Sequence, residues 1–278
     1  MKDFPILVES TFVKTRRQIH LIAELIGEYR KTLVKPIAKN DNLWLNVVEN
    51  GFCTPPINEY NELEIGCNPE KLIIEVANNK NLYESINING KTQSLLNDEL
   101  SDILNGKFGV STKINAIPFD YLPAQAGAQG DFNISEKDAA DFATQLVNFG
   151  SLLKAFHKGI SVGVKSQICM WPHHFDNAFK WFSGRKIDDE DEQMGIGVSN
   201  GDDNYELPYI YMSFWPPLRK TNTLQIADGA VLHDTDWTGL MLPYESLMEK
   251  KTTDLQQKLI EDFFNISFAS VQRGFSKR

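Results

Sequence analysis

The chain has 278 residues, 42% hydrophobic and 23% charged, an ordinary globular composition that suits one large core or two compact lobes. Lys and Arg number 28 against 37 Asp and Glu, leaving a formal net charge of -9 and no basic block. A phosphate backbone is held mainly by Lys and Arg that displace counterions, so nucleic acid and anionic membrane surfaces are poor partners. Cys53, Cys67 and Cys169 form no C-x-x-C pair. Reduced thiols in the cytoplasm are therefore expected rather than a disulfide framework or a zinc ribbon. The N-terminus lacks a signal-peptide core, and no run of about 18 apolar residues occurs, so neither export nor a helical anchor is expected.

Ile19, Ile22, Ile26, Tyr29 and Leu33 recur at intervals of three and four, which predicts a helix over roughly 14–34 that Pro36 stops. Leu43, Leu45 and Val47 alternate as in a strand. Leu63, Ile65 and Cys67, then Leu72, Ile74 and Val76, predict a hairpin around Asn68-Pro69. Asn89-Gly90 is a tight turn. Thr92 caps a helix whose Leu96, Leu100 and Ile103 face inward and which Gly106 ends. Val110, Thr112, Ile114 and Ala116 read as a further strand. Residues 118–134, with Pro118, Pro123, Gly127 and Gly130 and no apolar period, are expected to link a lobe of residues 1–117 to one of 135–278.

Ser135 and Asp138 then open a helix carrying Ala139, Phe142, Leu146, Phe149, Leu153 and Phe156 on one stripe, and Lys158-Gly159 ends it. Strand-like runs follow over roughly 164–171, 174–182, 194–199, 207–214 and 238–243, before a last helix over roughly 253–272. Hairpin-linked strands with helices at the ends of each half predict an α+β protein, antiparallel sheets covered by helices. Neither G-x-G-x-x-G nor G-x-x-x-x-G-K-[ST] is present, so two common nucleotide cradles are missing.

The densest unusual stretch is Trp171-Pro172-His173-His174-Phe175-Asp176. If it is extended, alternation puts Trp171, His173 and Phe175 on one face and His174 and Asp176 on the other. An imidazole and a carboxylate so placed grip a divalent metal, with His233 about 57 residues on as third ligand, or act as a base and its orienting acid. The plainer reading is a His–Asp hydrogen bond that orders a strand end. A second cluster gathers Asn200-Gly201, Asp202, Asp203, Glu206, Tyr209 and Tyr211. Asn200-Gly201 is first of all turn chemistry. Tyr209 and Tyr211 share a strand face, as stacking platforms for a sugar-like ligand or as two core tyrosines. Arg185 offers a cation to a carboxylate or phosphate ligand, or is a plain surface residue. Asp188 to Glu192 read as a solvated acidic loop, and His20 and His157 as bystanders, His20 exposed on its helix.

At these residues the chain resembles an uncharacterised bacterial family, domain of unknown function 5996. The likeness begins at Thr15 and runs through Trp44 and the segment from Gly51 to Ile57. It is strongest in Trp171 to Asp176, Phe182-Ser183-Gly184-Arg185, Gly201-Asp202, Pro208 to Tyr211 and Trp237 to Tyr244. The resemblance implies a bacterial protein with one architecture across both halves, and it brings no activity.

Three functions are open to such a chain. As a small-molecule enzyme it would use His174, Asp176 and Glu206 for chemistry, with or without a divalent metal on His174, Asp176 and His233. As a non-catalytic binder of a polar or sugar-like ligand it would use Trp171, His173, Arg185, Asp202, Tyr209, Tyr211 and Trp237. As a structural protein it would bury its aromatic residues in a homo-oligomer interface.

Overall fold

The computed structural model describes residues 2–36, 42–79, 81–111, 114, 130–218 and 221–276. The fold is α+β, with two antiparallel sheets and five α-helices among the described residues. It divides into two compact units. One comprises residues 7–147 with 170–175, and the other 1–6, 148–169 and 176–278. Of the expected linker, residues 118–129 lie outside the described residues, as do Thr112 and Ala116 of the expected strand.

In the unit of residues 7–147, α1 (Glu9–Leu33) carries the expected stripe and begins five residues before the expected helix start at about residue 14. Val34 leaves it in an extended conformation two residues before Pro36. A meander follows: β1 (Asn46–Val48), β2 (Gly51–Cys53), β3 (Leu63–Asn68), β4 (Ile73–Asn78) and β5 (Asn81–Asn87), paired in that order. The β3–β4 hairpin pairs Ile65 with Val76 and Cys67 with Ile74, so alternation sends both apolar sets inward. Beneath them α1 packs on β3 and on α2 (Gln93–Phe108). The Thr92 hydroxyl accepts from Leu95 N and caps α2, which runs past Gly106 to a left-handed Gly109. α3 (Glu136–Gly159) starts where Ser135 Oγ accepts from Asp138 N, and the division between units passes through it.

The other unit is built on a sheet of order β11-β12-β10-β9-β8-β6. Its strands are β6 (Val164–Lys165), β8 (Asp176–Ile187), β9 (Glu190–Ser199), β10 (Tyr209–Trp215), β11 (Val231–His233) and β12 (Gly239–Pro243). The expected run at 164–171 is two short strands, β6 and β7 (Cys169–Trp171). The acidic run from Asp188 lies in the tight β8–β9 hairpin, where Asp188 and Asp189 both have positive φ. α4 (Tyr244–Met248) packs on β12 and α5 (Thr253–Ser276), and α5 lies on β10 and β12. Ile196, Val198, Ile210, Met212, Leu240 and Leu242 are buried on one face of the sheet. Among the described residues no helix is long and apolar enough to cross a membrane.

Candidate functional site

Residues 172–175 are a turn, where the sequence predicts extended chain. Trp171 O accepts from both His174 N at 3.2 Å and Phe175 N at 2.7 Å, which folds the chain back on itself. Strand alternation therefore does not relate His174 to Asp176. Phe175 has φ +52° although it is fully buried, a left-handed conformation that a bulky side chain adopts only where packing fixes it. Its ring lies flat between His20 (4.5 Å, 6°) and Phe142 (5.7 Å, 7°). Pro172 is buried against α1 at Gly27, where a Cβ would come within 2.7 Å of the proline ring. These anchors leave His173 and His174 exposed side by side, their rings 4.2 Å apart and Trp171 edge-on to His173 at 5.9 Å.

His20 belongs to this turn, and the expectation of an exposed bystander is corrected. Its Nε2 is 2.6 Å from Pro172 O and 3.6 Å from Glu24 Oε1. With the ring stacked on Phe175, it ties α1 to the turn at two points. The legible signal was Gly27, a glycine inside a strong helix, which marks a close approach by another segment. Partial desolvation by the turn, then the neighbouring His174, hold the solvent-facing His173 below the ordinary imidazole pKa of 6.5; Glu24 opposes the shift and His20 adds to it.

A second polar cluster occupies the opposite face of the larger sheet from its apolar core. Asp176, Ser199 and Tyr209 stand opposite one another on β8, β9 and β10, as do Ala178, Gly197 and Tyr211. Gly197 lets the Tyr211 ring cross β9, because a Cβ there would approach the Tyr211 hydroxyl to 2.8 Å. That hydroxyl donates to Asp176 Oδ2. Tyr209 donates to Asp202 Oδ2 at 2.6 Å, while Asp202 Oδ1 accepts from Asn204 N and Tyr205 N and so closes the β9–β10 loop. Burial first, then the partner carboxylates, raise both tyrosine pKa values well above 10. Both hydroxyls thus remain donors at physiological pH.

His233 stacks on Trp237 at 4.0 Å and is buried. Its Nδ1 is 2.8 Å from Trp237 O and its Nε2 is 3.1 Å from Thr235 Oγ1. Both ring nitrogens are thus engaged within the β11–β12 connection. Tyr205 lies between Tyr209 and His233, and Tyr211 meets Trp237, so the aromatic residues form one connected set. Glu206 is exposed. Arg185 pairs with Glu192 across the β8–β9 hairpin. Among the described residues no group of three or more His, Cys, Asp and Glu is placed to hold a metal ion.

Two sets of the expected site residues are therefore assembled, each within its own unit. Trp171, His173 and His174 form the histidine turn, with His20 and Glu24 added by the fold. Asp176, Asp202, Tyr209, Tyr211, His233 and Trp237 form the aromatic–carboxylate network. The model of one protein family, described as a family of unknown function (DUF5996), matches residues 4–273, nearly the whole chain. The chain belongs to that family. No curated protein and no solved structure matches it.

Proposed function

We propose that this member of the DUF5996 family is an enzyme that takes a small polar molecule at the histidine turn and transfers a proton there, with His173 as the base. The observation that carries the reading is Phe175, buried in a left-handed conformation between the flat faces of His20 and Phe142. Strain of that kind persists only where the surroundings over-determine it, and it gathers at functional sites. Its effect here is to present two consecutive imidazoles to solvent. A base must be unprotonated when substrate arrives, and an imidazole held below its ordinary pKa meets that requirement at neutral pH. His174 would share the transferred proton, and Trp171 would wall the site. Three cysteines free of disulfides support a reducing compartment such as the cytoplasm of the bacterium that the family resemblance implies.

The test pairs a titration with an activity profile. In proton NMR the His173 ring resonances should titrate with a midpoint below 6.5. The protein incubated with a bacterial small-molecule extract should deplete one polar compound, followed by mass spectrometry. His173→Gln should slow that depletion by about 10²–10⁴-fold with an unchanged melting temperature. Identical extract profiles for wild type and variant would remove the catalytic reading, whatever the titration shows.

A further inference from the structure

The family-like segment Phe182-Ser183-Gly184-Arg185 acquires a physical role in the β8–β9 hairpin. Phe182 pairs with Gln193 and Lys186 with Asp191, so three residues of β8 stand opposite Glu192 alone. Such a bulge re-aims side chains, and bulges recur beside functional sites. Here it brings Arg185 onto Glu192: Nε at 2.9 Å and Nη2 at 2.7 Å, both donating to the same oxygen, Oε2. The Glu192 side chain is 0% exposed, whereas that of Arg185 is 51% exposed. Glu192 Oε1 is buried and has no hydrogen-bond partner among the described residues. A fork-to-fork pairing would have satisfied both oxygens, so the one-sided approach leaves acceptor capacity that is costly to bury unused.

Glu192 and Arg185 line a cavity of about 510 Å³ together with Trp181, Gln272 and Arg273. Arg273, on the last turns of α5, is exposed, and its guanidinium makes a 3.3 Å hydrogen bond to Gln225. The lining thus presents two guanidinium groups and one carboxylate. A simple anion would meet the guanidinium groups but also the Glu192 charge. A simple amine would meet the carboxylate but also two like charges. A ligand that carries both signs a short distance apart satisfies every group. We infer that this cavity binds a zwitterionic amino acid, its carboxylate accepting from Arg185 and Arg273, while the exposed Arg185 side chain that covers the buried Glu192 shifts to admit the ammonium to Oε1. This site lies wholly within the unit of the larger sheet and is independent of the histidine turn.

Saturation-transfer NMR on the full chain would use glycine, L-glutamate and L-lysine one at a time, with acetate and methylammonium as half-ligands. At least one amino acid should bind, and each half-ligand should bind about tenfold more weakly or worse. Glu192→Gln keeps the shape and the acceptor for Arg185, and should weaken amino-acid binding about tenfold. Arg273→Ala lies on the surface and should do the same without touching the core, so it decides the matter if E192Q fails to fold. The inference is overturned if none of the three amino acids binds, if acetate binds as well as they do, or if R273A binds as wild type does.

Discussion

Tyr29, Tyr209 and Tyr211 show how single side chains take their properties from burial. The Tyr29 hydroxyl donates to Asn97 Oδ1 at 2.7 Å, and burial pushes its pKa up to about 12. Tyr209 and Tyr211 donate to carboxylates, and burial together with those carboxylates raises both well above 10. A tyrosine whose folded pKa exceeds its unfolded value of 10.0 stabilises the fold fully below pH 10.0. That contribution is lost as pH rises through the folded value. In an ultraviolet titration, these three of the eight tyrosines should stay protonated at about pH 11 and ionise only as the protein unfolds. Full and immediate ionisation of all eight at that pH would contradict the buried network. His173 has the opposite sign: its folded pKa lies below 6.5, so its presence weakens the fold as pH falls beneath that value.

For the elements, what matters is where two of them come close. An alanine in a helix interior is ordinarily about 1 kcal/mol better than glycine. At Gly27 in α1, an added Cβ would stand 2.7 Å from Pro172 Cγ. Overpacking of that kind costs about 1–3 kcal/mol, which outweighs the propensity gain. Gly27→Ala should therefore lower the urea midpoint. Gly106→Ala in α2, where an added Cβ meets nothing within 4 Å, should raise it or leave it unchanged. If both variants stabilise, the close seating of the turn on α1 is wrong. The same comparison explains why the sequence hid the turn. Trp171, His173 and Phe175 alternate as a strand would, and only the proline between them and the glycine on a distant helix hint at a reversal.

For the whole molecule, charge sets the choice of partners. A net -9, with basic residues dispersed, gives a phosphate polymer no continuous surface to displace counterions. Duplex DNA at physiological salt should show no retardation with protein up to on the order of 10 µM, and a clear shift there would overturn the expectation. The two units each own a sheet, and each holds one of the assembled residue sets, so a variant in either set can be read against the integrity of its own unit.

By itself the sequence determined the elements whose signals are local. The α1 and α3 stripes, the Thr92 and Ser135 caps, the β3–β4 hairpin and the α+β class each follow from periodicity or capping within a few residues. It also singled out most of the residues in both polar sets, because His, Asp, Tyr and Trp crowd together there. Tertiary structure alone decided which of them meet. The Phe175 conformation, the union of His20 with Pro172, the reach of Tyr211 over Gly197 and the burial of Glu192 under Arg185 all join segments that are separate in the chain or change direction without a local marker. Contacts of that kind are fixed by packing and shared desolvation, which no window of sequence contains.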